Sequence, residues 1–190
     1  MSAAALARRL VALAVMLAAA TARAQLPPEV VQRLEAVGRR IDPQATAAIM
    51  APRQPAELWP AGTTVVRDLS YGPDPRHLLD LFVPPAPAER PRPVLIYVHG
   101  GVFTRGNRRD IGPFYDNVMA WAVRQGMVGV NMTYRLAPQH VWPAGAEDVA
   151  LAIDWVHREI SEKGGDPNRV FILGYSAGAE HVAGYLANKR

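Results

Sequence analysis

One short stretch of the sequence combines an apolar run with a single hydroxyl group held between two glycines. It reads VFILGYSAGAEHVA, residues 170–183, and Gly174 and Gly178 each lie two residues from Ser176. A strand that turns within one residue into a helix forces the corner residue into a strained conformation, and flanking glycines remove the side chains that would collide. The pattern predicts an exposed serine suited to nucleophilic attack in acyl transfer, although by itself it also fits a plain structural turn.

A second stretch supplies groups that such a serine would need. The segment YVHGGVF, residues 97–103, leaves an apolar run through two adjacent glycines, where bare backbone can closely approach a ligand. Acyl transfer needs N–H groups directed at the oxygen of the tetrahedral intermediate. The N–H of Ala177, at the amino end of the helix after the serine, is a further candidate donor. We interpret His-Gly-Gly as part of an oxyanion site, while the same residues also fit a tight turn after a strand.

The elements that must position these groups alternate between strands and helices from residue 63 onward. The segments TTVVRDLSY and HLLDLFVP flank the turn Gly72–Pro75 and predict a β-hairpin. The apolar run VLIYV has no alternation and predicts a strand that is buried on both faces, and MVGVNMTY and RVFILGY predict two further buried strands. Helices are predicted at residues 114–125, from Val149 to Ile160 and at residues 177–187. This alternation predicts a doubly wound α/β fold with a mostly parallel sheet.

The amino-terminal segment has the pattern of a targeting sequence. Arg8 and Arg9 precede an apolar run from Leu10 to Ala20, and a small-x-small triplet ends at Ala24. This order is typical of a bacterial secretory signal peptide, so we expect cleavage after Ala24 and a periplasmic or secreted protein, with an uncleaved anchor as the alternative. The run is short for crossing a bilayer, and no stable membrane span is expected after cleavage.

Residues 25–62 separate the targeting segment from the alternating region. They begin with the amphipathic pattern EVVQRLEAVGRRI and continue as proline-rich and alanine-rich sequence. Segments of this kind either pack as arms or cover binding clefts. The predicted organisation is therefore a signal peptide at residues 1–24, a helical and irregular arm that could act as a cap at residues 25–62, and an α/β domain at residues 63–190.

Composition excludes several functional classes. The 190 residues are 49% hydrophobic and 20% charged, as in ordinary globular proteins. Removal of residues 1–24 would remove three arginines and no acidic residue, which lowers the formal charge from +4 to +1. Nucleic acid is therefore not an expected partner. The absence of cysteine excludes disulfides, thiolate catalysis and cysteine-ligated zinc, and no metal or organic cofactor is implied.

Three motifs in succession carry a family resemblance. HGGVF, NMTYRLAPQHVWPAGAEDV and GGDPNRVFILGYSAGA resemble the α/β-hydrolase esterases of the hormone-sensitive-lipase and carboxylesterase type over approximately residues 63–190. The resemblance implies an α/β-hydrolase domain that hydrolyses uncharged, modest-sized carboxylic esters through an acyl-enzyme. The residues it implies in the active site are the nucleophile Ser176, the backbone oxyanion donors Gly101, Val102 and Ala177, and the loop-shaping Gly100.

Two positions depart from the usual pattern of that family. Val102 replaces the third glycine of the loop, so its N–H is kept while its side chain narrows the space near the acyl group. Thr133 stands where an aspartate is more usual. These departures leave open an amidase or formamidase on the same fold, and a third reading is a non-catalytic α/β-hydrolase-fold binding module. The aromatic candidates for a substrate pocket are Phe103, Tyr115 and Trp142.

The chain supplies half of the catalytic groups that the resemblance implies. In this fold the acid and then the histidine of the triad follow the nucleophile along the chain. After Ser176 there is one carboxylate, Glu180, and one histidine, His181, which lies five positions along the same helix and is expected to point away from the serine. We therefore expect the triad acid and base to be absent, and the chain to be the amino-terminal part of a longer hydrolase that lacks its last strands.

Three further features are given structural roles. Arg135 is expected to pair with a buried carboxylate such as Glu147 or Asp148. His99 is expected to brace the loop that carries Gly100. The segment RGNRRD, residues 105–110, is interpreted as a solvated loop, with recognition of a substrate carboxylate as the alternative.

Overall fold

The computed structural model describes residues 26–85, 88–110 and 114–188. The predicted signal peptide at residues 1–24 lies outside these ranges. The chain divides into two compact units, residues 1–52 and 53–190, and each unit is described separately below. No helix in the described ranges has the length and apolar character needed to cross a membrane.

The described residues of the first unit, 26–52, contain two short helices. Helix α1 is Pro28–Val37 and helix α2 is Pro43–Met50, and a single 3-10 turn follows at Ala51–Arg53. Both helices begin with proline, which suits the first turn because its missing N–H would have no partner there. Asp42 caps α2 by accepting a hydrogen bond of 2.9 Å from the N–H of Ala45. The interpretation of residues 25–62 as a possible cap over a pocket stays a prediction.

The second unit is built on a five-stranded sheet. Its strands are β1 (Thr64–Ser70), β2 (Leu78–Val83), β3 (Arg92–Val98), β4 (Val128–Met132) and β5 (Gly165–Gly174), in the spatial order β1-β2-β4-β3-β5. The predicted hairpin is confirmed, because β1 and β2 pair in antiparallel fashion. Strand β2 is also antiparallel to β4, whereas β3 runs parallel to both β4 and β5. The α/β class that the sequence predicts is confirmed.

Helices cover both faces of this sheet. They are α3 (Phe114–Arg124), α4 (Ala144–Glu159) and α5 (Ala177–Asn188), and a 3-10 turn at Ile160–Lys163 extends α4. On one face, apolar side chains of α4 and α5 pack against the central strands, and Val149, Ile153 and Val156 lie in this core as their spacing predicts. On the other face, α3 packs against Leu95 and Tyr97 of β3. The sheet therefore lies between two helical layers.

One strand is less buried than its sequence indicates. The apolar run in β5 predicts a buried strand, but Phe171 is 55% exposed and Leu173 is 44% exposed. Strand β5 lies at the edge of the sheet that the structure describes, and α3 covers the neighbouring residues of β3 instead. The prediction of a buried strand is therefore wrong for the face of β5 that carries Phe171 and Leu173.

The parallel pairing of β3 and β5 determines where the two chemical motifs meet. Val98, the last residue of β3, is in register with Gly174, the last residue of β5. Parallel strands carry their carboxyl ends to the same edge of a sheet. The segments that leave these two strands, His-Gly-Gly and Tyr-Ser, consequently start side by side.

Candidate active site

Ser176 lies at the corner between β5 and α5. Its side chain is exposed, and its backbone has a φ of 51°, a conformation that residues other than glycine rarely adopt. The N–H of Tyr175 donates a hydrogen bond of 3.0 Å to the carbonyl oxygen of Val98, which holds the corner against the end of β3. The carbonyl oxygen of Ser176 accepts a hydrogen bond of 2.8 Å from the N–H of Ala179, and this bond starts the first turn of α5. Strain of this kind persists only where the surroundings impose it.

The two glycines beside the serine are required by close packing. A Cβ atom on Gly178 would overlap the carbonyl oxygen of Val98 and lie 2.5 Å from that of His99. A Cβ atom on Gly174 would lie 2.5 Å from the Cα atom of Ala179. Each neighbour is backbone and cannot rotate away. The spacing of glycines in the motif therefore reflects the tight apposition of β5, α5 and the end of β3.

The segment after β3 approaches the serine directly. We call residues 99–110 the His-Gly-Gly loop. A Cβ atom on Gly100 would lie 3.2 Å from the Cβ atom of Ser176 and 3.1 Å from the carbonyl oxygen of Tyr175. Only a residue without a side chain fits this position comfortably. The structure thus brings the loop and the hydroxyl-bearing residue into van der Waals contact.

The loop is strained over three consecutive residues. Gly101 has a φ of 142°, Val102 a φ of 48° and Phe103 a φ of 66°. The carbonyl oxygen of Gly101 accepts hydrogen bonds from the N–H groups of Thr104 (3.2 Å) and Arg105 (3.0 Å), and the carbonyl oxygen of Phe103 accepts one from the N–H of Ala137 (2.9 Å). The side chains of Val102 and Phe103 are exposed. The carbonyl group of Gly101 is therefore directed at later residues of the loop and that of Phe103 at Ala137, which keeps the loop on a fixed, unusual backbone path beside Ser176.

The amino end of α5 adds a third feature to the site. The first N–H groups of a helix have no partner within it and carry a partial positive charge. Ala177, which is buried, is the first residue of α5 and directly follows Ser176. Its N–H is therefore positioned at the helix end next to the hydroxyl group, which favours negative charge that develops there.

The buried side chain of His99 supports the His-Gly-Gly loop. Its ring is fully buried, its Nδ1 atom lies 2.6 Å from the carbonyl oxygen of Gly100, and it stacks on Tyr134 with ring centroids 4.3 Å apart. Burial, together with the charges of Arg76 and Arg108 and neighbouring His181, lowers the pKa of His99 to about 4, although the Gly100 contact acts in the opposite direction. At neutral pH the ring is therefore uncharged and acts as a packed brace.

This lowered pKa predicts a loss of stability in mild acid. The unfolded chain takes up a proton on His99 below its ordinary pKa of 6.5, whereas the folded chain resists protonation until about pH 4. We expect the free energy of unfolding to fall by about 3 kcal/mol for this group across that window, the equivalent of the pKa difference. Urea unfolding of His99→Asn should show a flatter pH dependence than the unsubstituted chain.

The matched control for that measurement is His157→Asn, because His157 is exposed on α4. This variant should keep the pH dependence of the unsubstituted chain. An unfolding free energy in His99→Asn that varies with pH as steeply as in the unsubstituted chain would contradict a buried, neutral His99.

A family model covers the region that contains both motifs. The BD-FAE family matches residues 79–190, a range that includes the His-Gly-Gly loop and Ser176. The chain belongs to the BD-FAE family. BD-FAE is a family of α/β-hydrolase esterases, which agrees with the resemblance that the three sequence motifs carry and with the mixed sheet between helical layers.

Relatives of this BD-FAE chain carry the names of esterases. Esterase LipC of Mycobacterium tuberculosis is 34% identical over 188 residues, which cover 89% of this chain and 46% of LipC. Carboxylesterase NlhH of the same organism is 34% identical over 134 residues, covering 70% of this chain and 41% of NlhH. The solved structure of a bacterial heroin esterase superimposes with a TM-score of 0.63 at 27% identity and covers 86% of this chain and 52% of that one. The chain spans about half the length, or less, of these relatives.

The three aromatic pocket candidates occupy different places in the BD-FAE chain. Phe103 meets the ring of His181 edge-on, with centroids 5.4 Å apart. Trp142 is 62% exposed, and its ring tip occupies the space that a side chain on residue 184 of α5 would take. Tyr115 packs against Tyr97 beside α3, with centroids 5.5 Å apart. No ring contact joins any two of the three, so a shared acyl pocket stays a prediction.

None of the five histidines, all of which lie in the described ranges, forms a hydrogen bond with the hydroxyl of Ser176. His77 lies 3.0 Å from a carboxylate oxygen of Asp148, and His140 lies 3.8 Å from Asp74. Both ring nitrogens of His181 are buried without a partner within the part of the chain that the structure covers. Burial lowers the pKa of His181, so this ring is a neutral packing group.

The structure corrects the interpretation of RGNRRD as a solvated loop at Arg108, whereas Arg105, Arg109 and Asp110 are exposed. Arg108 is only 4% exposed, and both Arg108 and Arg109 bind the carboxylate of Asp80, which is fully buried in β2. The available signal was the single charged residue within the apolar strand LLDLFV, because a buried carboxylate requires a cationic partner. The pairing predicted for Arg135 is confirmed, since its Nε atom donates to Asp148 at 2.8 Å and its Nη2 atom lies 3.2 Å from Glu147.

Proposed function

We propose that Ser176 is the nucleophile of a carboxylic-ester hydrolase that works through an acyl-enzyme. The observation that carries this proposal is the approach of Gly100 to Ser176, where a Cβ atom on the glycine would lie 3.2 Å from that of the serine. An exposed hydroxyl on a strained corner, beside a glycine loop and a helix amino end, is the arrangement that acyl transfer requires. The esterase names of the relatives support the same bond type.

The proposed reaction has two balanced halves. The Oγ atom of Ser176 attacks the ester carbonyl carbon, its proton passes to a base, and the tetrahedral intermediate collapses as the alcohol leaves with a proton. Water then attacks the acyl-serine and releases the carboxylic acid. During both halves the negative oxygen would be bound by the N–H groups of Gly101, Val102 and Ala177, which act only on the charge that develops in the transition state.

The base that activates Ser176 is proposed to lie outside this sequence. A serine hydroxyl is a weak nucleophile until a histidine accepts its proton and a carboxylate orients that histidine. His77 and His140 lie beside carboxylates, and His157 is exposed on α4. His99 and His181 are buried behind the loop. The site of this chain therefore holds a nucleophile and oxyanion donors, and we expect its own turnover to be slow.

The substrate proposed is an uncharged ester with a modest acyl group. The exposed side chains nearest to the oxyanion donors along the loop are the apolar Val102 and Phe103. Two of the three arginines of the same loop, Arg108 and Arg109, are bound to Asp80, whereas Arg105 is exposed. A charged acyl group would lose its hydration beside Val102 and Phe103 without gaining a partner from either side chain.

The test is hydrolysis of p-nitrophenyl butyrate by the full chain, with and without added imidazole. Imidazole can replace a missing base, so we expect a slow Ser176-dependent rate that rises with imidazole concentration, after subtraction of the rate measured with Ser176→Ala. The matched p-nitroanilide should react far more slowly, since an amine is the poorer leaving group. Equal rates with both proteins at every imidazole concentration would refute a nucleophilic Ser176.

A further inference from the structure

We propose that Asp80, whose strand is separated by two others from the strand that leads to the serine, is a positioning residue that holds the His-Gly-Gly loop in its oxyanion-binding path through Arg108. The proposal rests on the function proposed above for Ser176, but its structural part can be tested without activity. Asp80 lies in β2 and touches no reacting group, so it would act only through the residues that it binds.

The carboxylate of Asp80 accepts hydrogen bonds from three arginines. Arg108 donates from Nε at 2.9 Å, Arg109 from Nε and Nη2 at 2.8 Å each, and Arg67 from Nη1 at 2.8 Å. The N–H of Asp68 donates a further bond of 3.0 Å. Burial would raise the pKa of Asp80, but these donors outweigh burial and lower it, so the carboxylate is ionised at neutral pH.

Arg108 ties the end of the loop to two further strands. Its Nη1 atom donates to the hydroxyl of Thr133 at 2.6 Å, directly after β4, and its Nη2 atom bonds to the carboxylate of Asp68 in β1. Its carbonyl oxygen accepts a bond of 2.7 Å from the side chain of Asn131 in β4. Thr133, which departs from the family pattern, therefore serves as an acceptor for this arginine. Both the side chain and the backbone of Arg108 are fixed to the sheet.

The opposite end of the loop is fixed by β3, so the strained residues lie between two anchors. Gly101, Val102 and Phe103 all have positive φ, and for a β-branched valine this conformation is costly. Arg76 adds an intermediate support, since its Nη2 atom donates to the carbonyl oxygen of Gly106 at 2.8 Å. If the Arg108 anchor is released, the loop can relax towards ordinary backbone conformations and carry its N–H groups away from Ser176.

The Arg108 anchor is sensitive to loss of the Asp80 charge because this ion pair is buried. Removing one partner of a buried ion pair leaves the other charge without compensation, and the structure rearranges to hydrate it. In Asp80→Asn the guanidinium of Arg108 would keep Thr133 and Asp68 but lose its buried counter-ion. The residue that has to move is in the loop, because Asp80 and Asn131 lie within paired strands.

The structural part is tested by hydrogen–deuterium exchange of the full chain, followed by mass spectrometry. In Asp80→Asn we expect peptides covering residues 99–110 to exchange at least about tenfold faster, while peptides of β3 and β4 keep their protection. Asp116→Asn is the matched control, because Asp116 binds Arg67 at 2.6 Å and does not contact the loop. If Asp80→Asn does not fold, Arg108→Lys is used, which keeps the charge but loses the forked hydrogen bonds.

Two results would overturn the inference. One is exchange of residues 99–110 in the variant at the rate of the unsubstituted chain. The other is a uniform increase over the whole sheet in a folded variant, since this would make the network a general stabilising feature.

The catalytic part is tested by the rate at which a fluorophosphonate modifies Ser176 in the presence of imidazole, which replaces the missing base. Because the phosphoryl oxygen uses the same donors as the ester oxygen, Asp80→Asn should lower the maximal modification rate by about 10- to 100-fold at unchanged half-saturating concentration. A change in the half-saturating concentration alone would contradict a positioning role. If the unsubstituted chain does not react while exchange responds as expected, the function proposed for Ser176 fails and the anchoring role of Asp80 stands.

Discussion

In the Ser176→Ala variant, covalent modification by a fluorophosphonate in the presence of imidazole is expected to fall by about 10³-fold or more, to the background of ordinary serines. Ser176 combines exposure with a φ of 51° and lies at the amino end of α5, so its oxygen can attack phosphorus while the loop amides bind the phosphoryl oxygen. Alanine removes the attacking atom and leaves the rest of the site in place. Intact-protein mass spectrometry measures the extent of modification over time.

The matched control is Ser161→Ala, because Ser161 is exposed in the 3-10 turn after α4 and does not lie at a strained strand-to-helix corner. This variant should be modified at the rate of the unsubstituted chain. Modification that survives in Ser176→Ala and disappears in Ser161→Ala would place the reactive residue elsewhere.

Gly178→Ala is expected to destabilise the second unit by about 3 kcal/mol and to abolish the reactivity of Ser176. A Cβ atom at this position would overlap the carbonyl oxygen of Val98 and lie 2.5 Å from that of His99, and backbone atoms cannot move aside as a side chain can. The strain can be relieved only if α5 moves away from β3, which opens the corner that holds Ser176. Urea unfolding measures the loss of stability, and fluorophosphonate modification measures the loss of reactivity.

Gly184→Ala provides the comparison within the same helix. Its new Cβ atom would meet the ring tip of Trp142, an exposed side chain that can rotate away, and alanine favours helix by about 1 kcal/mol over glycine. The expected change in unfolding free energy is therefore small. If Gly184→Ala proves as damaging as Gly178→Ala, the special tightness assigned to the serine corner is wrong.

The residues that local sequence could predict are those whose role depends on their immediate neighbours. The glycines around Ser176 indicated a strained corner, and the structure gives the serine a positive φ and places backbone atoms where side chains would have been. The α/β class likewise followed from alternating periodicities, because each strand and helix is identified by its own pattern.

The Asp80 anchor shows what local patterns could not reveal. Asp80 and Arg108 are far apart in the sequence, and their contact depends on the pairing of β2 with β4 and on the path of the loop. A lone aspartate in an apolar strand indicates a cationic partner but not which one. The arginine-rich segment consequently resembled a solvated loop, although the sheet binds it closely.

Burial was also difficult to predict from the sequence alone. Leu95 and Phe171 are apolar residues on adjacent paired strands, yet α3 packs on the first and leaves the second exposed. Apolarity shows that a surface favours burial and does not identify the element that covers it. Tyr115 illustrates the same limit, since its aromatic character does not identify Tyr97 as the ring that packs beside it.

The most direct test is a crystal structure of the chain after phosphonylation of Ser176. If the serine oxygen and the loop amides share one site, the phosphoryl oxygen should lie about 3 Å from the backbone nitrogens of at least two of Gly101, Val102 and Ala177. A phosphoryl oxygen directed into solvent, beyond hydrogen-bonding distance of all three nitrogens, would show that these groups do not form an oxyanion site.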